Sequence, residues 1–244
     1  MKIALTLIII SFTLIADISA QKKPDIKEIS FISPAAIEDV LDSNAFTPIS
    51  QKEYFETKSR YDGRIRPDKT VKPDTKGYIR VNTKNYSYEL ISTNDYSSSY
   101  DYIGYSPELR SHLISHCSES ACNQFLLDNE TDNAFSIPSG YDSGPSGLSI
   151  SPENNYMVTY SSYYSDDFDD YYLYRSVLHI FSFAEGEGLQ SVSYFKQFET
   201  GDWSIDEIIW EDNNTIALKT YIGNQPETDK YDEFIYLKVD ISED

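Results

Sequence analysis

The sequence predicts an all-β protein, made of antiparallel sheets in an incomplete propeller-like array or a β-sandwich, with a small mixed N-terminal segment. Three observations lead to this fold class. From Gly77 onward, short runs of β-branched and aromatic residues alternate with turn residues. The chain has 21 Tyr, a residue that suits half-buried strand positions. After Tyr61 no long amphipathic helical pattern is present.

The first twenty residues have the layout of a cleavable secretory signal. Lys2 precedes an apolar run from Ile3 to Ala16, and small residues lead to a cleavage point after Ala20. The run is shorter than the roughly 20 apolar residues that a membrane-spanning helix needs. We therefore expect residues 1–20 to be removed, and the mature chain, without a membrane span, to be periplasmic or secreted.

Residues 21–76 predict an N-terminal segment of mixed structure. One strand is expected at Ile26–Ile32, followed by a short helix that Ser33 caps. A second helix is expected to begin at Ser50, because Ser50 and Glu53 have the spacing of a capping box. The acidic β domain would then comprise residues 77–244.

A basic stretch from Lys58 to Lys76 ends this segment and has the composition of a linker. It is punctuated by Gly63 and by two prolines. Its basic residues include Arg60, Arg64, Arg66, Lys69 and Lys72. Because the stretch is too polar to dock by hydrophobic burial, we expect several ion pairs to hold it against the acidic β domain.

Ten strands are expected after Gly77, each a short apolar run bounded by turn residues. They are Tyr78–Val81, Tyr86–Ile91, His112–Cys117, Gln124–Leu127, Tyr156–Ser161, Val177–Phe183, Val192–Phe198, Glu207–Trp210, Thr215–Tyr221 and Phe234–Val239. Their number and spacing are typical of a sandwich or of a propeller-like array of sheets.

A weak internal repeat, with a period of about 45 to 60 residues, runs through this region. Its three units are Tyr102–Glu108 leading into His112–Cys117, Gly147–Glu153 leading into Tyr156–Ser161, and Asp206–Asp212 leading into Thr215–Tyr221. Each unit is a strand, a polar turn and a second strand, followed by a third hydrophobic run.

The turn of the second unit, Ser151-Pro152-Glu153-Asn154-Asn155, resembles the Ser-Pro-Asp-Gly turn of TolB-type and WD40-like β-propeller repeats. The resemblance covers residues 102–241 and implies that the units are blades. Asn155 and Asn214 stand where such repeats have Gly, although Asn tolerates left-handed dihedrals. Three units are fewer than the about 4 to 8 blades that close a ring, so an open array and a sandwich are both consistent with the sequence.

The net charge of −20 is concentrated in the larger, C-terminal part of the chain. Residues 21–100 contain 13 Lys and Arg against 12 Asp and Glu, whereas residues 101–244 contain 6 against 27. We therefore do not expect nucleic acid as a partner, because its phosphates would be repelled. The acidic part is either a solubilising surface or an attractor for a basic partner, for divalent cations or for the chain's own basic stretch.

Cys117 and Cys122 enclose four residues between two expected strands. In an exported protein, two cysteines at this distance predict a disulfide across a hairpin turn. His112 and His116 precede them, and a metal site could combine both with a cysteine. Because a disulfide would consume the thiols, we interpret these histidines as strand residues on a half-solvated face.

Four carboxylates and four tyrosines cluster between two expected strands. Asp166, Asp167, Asp169 and Asp170 could supply several of the 6 to 8 oxygen ligands of calcium, which makes calcium a candidate cofactor, but EF-hand spacing is absent. The alternative is a solvated hairpin tip. Its flanking residues, Tyr163, Tyr164, Tyr171 and Tyr172, would form a recognition surface, since Tyr is enriched in protein interfaces.

No catalytic residue can be assigned from the sequence. The nucleophile-elbow, phosphate-binding and zinc-protease motifs are absent, and paired carboxylates for sugar hydrolysis depend on spatial pairing. We therefore expect an exported, non-catalytic binding protein of the inhibitor, immunity or envelope-complex type. Its partner would be a protein or other macromolecule, and a basic partner is favoured. The alternatives are a hydrolase of envelope or extracellular polymers and a calcium-dependent adhesion module.

Overall fold

A computed structural model describes residues 29–32, 43–61, 63, 65, 68–92, 98–119, 121–184, 186–227 and 230–242. The predicted signal peptide, the helix expected after Ser33 and the side chains of Arg64 and Arg66 lie outside the described residues.

The described chain is mostly β, which confirms the predicted fold class. It contains one α-helix, α1 (Gln51–Lys58). Its strands are β1 (Ser30–Ile32), β2 (Thr47–Pro48), β3 (Tyr78–Asn82), β4 (Ser87–Ile91), β5 (Ser98–Ser106), β6 (Ser111–Ser118), β7 (Ala121–Asp128), β8 (Asn133–Ile137), β9 (Gly147–Ile150), β10 (Tyr156–Ser162), β11 (Ser176–Ser182), β12 (Ser193–Thr200), β13 (Ser204–Trp210), β14 (Thr215–Tyr221) and β15 (Ile235–Asp240).

The strands form three larger sheets and one separate hairpin. The first sheet has the order β1-β8-β7-β6-β5, in which β5 to β8 are consecutive and antiparallel and β1 is parallel to β8. The second sheet is the antiparallel meander β12-β11-β10-β9. The third sheet has the order β13-β14-β15-β2, so a strand from the N-terminal segment completes it. Strands β3 and β4 form the hairpin.

Each unit of the sequence repeat is the first hairpin of one sheet. The three units correspond to β5–β6, β9–β10 and β13–β14. In the second unit, the left-handed residue of the turn is Asn154, with a φ of 58°, rather than Asn155. The Ser151 hydroxyl accepts hydrogen bonds from the backbone N–H groups of Asn155 and Tyr156, which fixes this turn.

Three strands after Gly77, β5, β8 and β9, are not among the ten expected ones, although the repeat placed a strand in the units that contain β5 and β9. Strand β5 interrupts its Tyr and Ile residues with Ser, Asp101 and Gly104, and β8 and β9 are short and contain Asn, Ser or Gly. These residue types have weak strand preference by themselves. They become strands because neighbouring strands supply the ladder hydrogen bonds and the buried face.

The sheets are stacked, with apolar side chains on both faces. Adjacent residues of a strand point to opposite faces, so Leu113 packs towards the second sheet and Ile114 towards the β3–β4 hairpin. Met157 likewise packs towards the first sheet and Val158 towards the third. The order of layers is therefore hairpin, first sheet, second sheet and third sheet, and helix α1 covers the outer face of the third sheet.

Helix α1 begins where the sequence predicts. Ser50 is its N-cap, and the Ser50 hydroxyl accepts a hydrogen bond from the backbone N–H of Glu53 at 3.1 Å. Tyr54 is fully buried against the third sheet, where its ring contacts that of Tyr236. The described part of the N-terminal segment is thus packed into the third sheet, through β2 and α1.

The basic stretch lies against the sheets through an ion pair of the expected kind and through contacts that were not expected. Its Lys58 ammonium lies 2.6 Å from a Glu207 carboxylate oxygen. Tyr61, Ile65 and Val71 pack into three different core clusters, so spaced apolar side chains do anchor a polar segment. The Gly63 carbonyl accepts a hydrogen bond from the backbone N–H of Ile150 at 2.9 Å. A Cβ at Gly63 would lie 2.0 Å from the Ile150 carbonyl oxygen, which explains why glycine is needed there.

The predicted disulfide between Cys117 and Cys122 is confirmed, with a sulfur–sulfur distance of 2.06 Å. The two residues are direct partners in the β6–β7 ladder. The strands continue to Ser118 and Ala121, so the turn is shorter than the four-residue loop expected from the sequence.

Replacing both cysteines by Ala is expected to lower the free energy of unfolding by about 2 kcal/mol without changing the fold, because the disulfide closes only a short loop. Urea denaturation followed by circular dichroism measures this change. Reduced wild-type protein is the control and is expected to match the variant. Loss of the cooperative unfolding transition in the variant would show that the fold itself depends on the disulfide, and not only the stability of the turn.

Candidate functional site

The predicted tyrosine and aspartate cluster forms the connection between β10 and β11, the two central strands of the second sheet. We call residues 163–174 the Tyr–Asp loop. Tyr164, Tyr171 and Leu173 are exposed by 64%, 67% and 80% on this loop. Asp166, Asp167, Asp169 and Asp170 are also exposed. Large apolar side chains and carboxylates therefore reach solvent on one short segment.

Two of the four predicted tyrosines are exposed, and the other two support them. Tyr163 is half-buried and stacks on Tyr164, with 5.5 Å between ring centroids. Tyr172 is half-buried and meets Tyr141 edge to face at 4.6 Å. The Tyr163 and Tyr172 rings are 5.3 Å apart, so the aromatic side chains form a connected cluster. Their role in recognition stays a prediction.

A buried arginine fixes the base of the Tyr–Asp loop. Arg175 is 5% exposed and donates a hydrogen bond of 2.6 Å to the Gly223 carbonyl. Its guanidinium lies 3.5 Å from an Asp166 carboxylate oxygen and 4.7 Å from the centre of the Phe168 ring. A guanidinium that is paired, hydrogen-bonded and in contact with a ring holds its partners in one arrangement.

The connection that follows β14 holds the Tyr–Asp loop from the other side. The backbone N–H of Gln225 donates to the Tyr164 carbonyl at 3.0 Å. The Asn224 amide donates to the Asp166 carboxylate at 2.8 Å. Within the loop, the backbone N–H of Tyr172 donates to the Phe168 carbonyl at 2.7 Å. The loop is therefore pre-organised, and binding of a partner would not include the entropic cost of ordering it.

The four aspartates do not converge on one point. Asp166 faces Arg175 and Asn224, whereas Asp169 and Asp170 belong to the short 3-10 turn Phe168–Asp170. Among the residues that the structure describes, no group of three or more His, Cys, Asp or Glu side chains is arranged to share a metal ion. Calcium binding by this loop stays a prediction without a formed site to support it.

Replacing the four aspartates of the Tyr–Asp loop by Asn is expected to change the melting temperature by at most a few degrees in the absence of divalent ions, because the carboxylates are exposed. Adding calcium is expected to leave the melting temperature of the wild type unchanged. Differential scanning calorimetry with and without calcium measures both. A calcium-dependent rise in the wild type that the variant lacks would instead identify a calcium site.

A second candidate site is a cavity of about 530 Å³ where the edge strands β5, β9 and β13 of the three larger sheets converge. Its wall includes Ile103 of β5, Leu148 of β9 and Asp206 and Glu207 of β13. Ile103 and Asp206 occupy β-bulges, where one strand has an extra residue. A bulge redirects side chains, so the neighbouring Asp206 and Glu207 both line the cavity.

Both cavity carboxylates are paired with lysines. Glu207 lies 2.6 Å from the Lys58 ammonium of α1 and accepts a hydrogen bond of 2.9 Å from the Tyr54 hydroxyl. Asp206 lies 2.9 Å from the Lys219 ammonium. Burial and the Glu207 charge raise the pKa of Tyr54 well above its ordinary value, so its hydroxyl stays a donor. These contacts tie α1 to the third sheet.

This geometry does not favour sugar hydrolysis over a structural role. A glycosidase needs one carboxyl group that delivers a proton and one that attacks or activates water. In the cavity an ammonium group contacts each carboxylate at ion-pair distance. The hydrolase alternative therefore stays a prediction, and Asp206 and Glu207 are the carboxylates to replace when testing it.

The strand histidines have structural partners. The two ring nitrogens of His112 are hydrogen-bonded to the Tyr102 hydroxyl at 3.0 Å and to the Asn82 carbonyl at 3.1 Å. His116 stacks on Tyr100 and is hydrogen-bonded to the Ser98 hydroxyl. Burial lowers the pKa of both imidazoles, so they are neutral at pH 7. These contacts agree with their interpretation as strand residues.

The sequence did not predict Leu173 and Arg175 as members of the loop site. Leu173 is a single apolar residue in a polar loop, which is not a signal by itself. Arg175 is one of only six basic residues in 101–244, and an arginine beside an acidic cluster was a usable sign of an anchor. The Asp206 and Glu207 pair could not be distinguished among 40 acidic residues before the bulge and the cavity were known.

Comparisons with protein-family models, with curated proteins and with solved structures found no match. Within the described ranges, no helix has both the length and the apolar character needed to cross a membrane. Function is therefore inferred from the geometry and chemistry of the Tyr–Asp loop and its surroundings.

Proposed function

We propose that this protein is an exported, non-catalytic binding protein whose Tyr–Asp loop engages a basic partner protein. The observation that carries the proposal is the joint exposure of Tyr164, Tyr171 and Leu173 beside four carboxylates on a loop that is held in place. Apolar patches rimmed by polar groups mark interaction sites, and Tyr is enriched in protein interfaces.

Charge complementarity favours a basic partner. The loop carries Asp166, Asp167, Asp169 and Asp170, and the part of the chain from residue 101 onward has 27 acidic residues against 6 basic ones. Such a field attracts a basic surface and speeds its approach. An inhibitor, an immunity-type protein and a subunit of an envelope complex all fit this description.

Three further features belong to the same proposal. The disulfide supports an oxidising compartment and hence export. The stacked sheets, each begun by one unit of the repeat, support an open propeller-like array. The third sheet, which β2 completes, would be the last blade of that array.

Binding of a fluorescent lysine- and arginine-rich peptide, measured by anisotropy, tests the proposal. We expect the wild type to bind this peptide, to bind it more weakly as salt rises, and to ignore a matched peptide in which every basic residue is Glu. Changing Tyr164, Tyr171 and Leu173 together to Ser is expected to weaken binding about tenfold or more, because exposed aromatic anchors carry much of the binding energy at interfaces.

A matched control distinguishes a specific effect of the loop residues from a general effect of removing exposed apolar side chains. Changing Tyr86, Tyr105 and Ile235 to Ser removes three other exposed apolar side chains and is expected to leave peptide affinity unchanged within about twofold. Equal loss of affinity in both variants, or binding of the acidic peptide, would contradict the proposal.

A further inference from the structure

A small pocket lies directly beneath the Tyr–Asp loop, on the face of the second sheet that is turned towards the first sheet. It has a volume of about 290 Å³, which is room for one long side chain. Its walls include Tyr141, Tyr172, Leu173, Tyr174, His179 and Glu199. Aromatic side chains of the loop therefore form the pocket as well as the exposed patch.

The pocket has one negative charge among its lining residues. The half-buried Glu199 accepts a hydrogen bond from the Gln197 amide. A hydrogen bond with Glu199, and then the charge of Glu199, raise the pKa of the Tyr174 hydroxyl. A carboxylate has about four acceptor positions, so capacity for further donors remains. Glu199 is thus a candidate partner for a cation that enters the pocket.

His179 lines the same pocket and does not oppose a cation. It is 7% exposed, and its Nδ1 atom has no hydrogen-bond partner among the described residues. Burial lowers the pKa of His179 to about 4, so the imidazole is neutral at pH 7. In the tautomer that is protonated on Nε2, Nδ1 is an unused acceptor.

We infer that this pocket takes an arginine side chain of the basic partner, with its guanidinium on Glu199 and against the Tyr172 ring. This inference rests on the proposed function, since the partner first has to dock on the Tyr–Asp loop. Arginine combines the features that the pocket matches: a long stem for an apolar wall, a planar face that stacks on tyrosine, and a fork of donors for a carboxylate. Arginine is also among the residues that most often anchor interfaces by filling pockets.

A double-mutant cycle tests the pairing. Two lysine-rich peptides are compared that differ only at one central position, which is arginine in one and citrulline, its uncharged isostere, in the other. On the wild type, we expect the citrulline peptide to bind about tenfold more weakly than the arginine peptide. On the Glu199→Gln variant, we expect the two peptides to differ in affinity by less than about twofold. The matched control is Glu187→Gln, an exposed carboxylate outside the pocket, which should behave as the wild type.

The possible outcomes distinguish a failure of the pocket inference from a failure of the proposed function. If both peptides bind but the citrulline effect is the same in all three proteins, the pocket inference is overturned and the proposed function stands. If neither peptide binds the wild type, both are overturned. If the Glu199→Gln variant does not give a native melting curve, the Tyr172→Leu variant is used in its place. This variant keeps the Glu199 carboxylate and removes the Tyr172 ring. The arginine preference is then expected to fall by at least about threefold, and an unchanged preference would overturn the inference.

Discussion

Replacing Phe181 by Ala is expected to lower the free energy of unfolding by about 3 to 5 kcal/mol. Phe181 is fully buried on β11, where its ring meets that of Phe135 from the first sheet at 5.3 Å. The truncation removes buried apolar area and leaves a cavity between two sheets that cannot close without moving a strand. Urea denaturation at neutral pH measures the loss.

Tyr164→Ala is the control for this variant, because it removes an aromatic ring that is 64% exposed. Its free energy of unfolding is expected to change by less than about 1 kcal/mol. A Phe181→Ala variant as stable as Tyr164→Ala would mean that the first and second sheets do not pack face to face. A stable Tyr164→Ala also ensures that loss of binding in the loop variants reports recognition rather than unfolding.

The second large effect concerns pH and comes from His179. Burial disfavours the charged ring and lowers its pKa from the ordinary value of 6.5, which applies to the unfolded chain, to about 4 in the folded protein. Between these values the unfolded chain binds a proton that the folded protein does not. The contribution of His179 to stability is therefore complete above about pH 6.5 and is lost as pH falls towards about 4, by about 3 kcal/mol in total.

A comparison with His179→Leu isolates this contribution, since both proteins share every other titrating group. Unfolding free energies at several pH values between about 7 and about 4 should show the wild type losing stability faster than the variant as pH falls. The nearby Glu199 lines the same pocket and is present in both proteins. Parallel pH profiles for the two proteins would show that His179 is not buried as a neutral group.

The features that could be predicted from the sequence are local ones. Strands such as Tyr156–Ser162 and Thr215–Tyr221 have apolar runs that read as strands by themselves. The Ser50 cap and the Cys117–Cys122 disulfide each depend on residues a few positions apart. The repeat marked the first hairpin of each larger sheet, including β9, which its own residues do not mark as a strand.

The remaining features depend on pairing between distant segments. Strand β2 has only two residues and exists because β15 supplies its hydrogen bonds. The pocket combines Tyr141, Tyr172 and Glu199, which come from three separate segments. The basic stretch was expected to dock through several ion pairs. Its described part has one, between Lys58 and Glu207, and three spaced apolar residues and a backbone contact at Gly63 also hold it.

The most direct test of the binding account is hydrogen–deuterium exchange of the wild type with and without a saturating amount of the arginine-containing peptide. We expect slower exchange in the Tyr–Asp loop and at Ser139–Tyr141, which borders the pocket, and little change elsewhere. A peptide that binds but slows exchange only at other acidic places, such as Tyr231–Glu233 or the Asp206 cavity, would contradict the account.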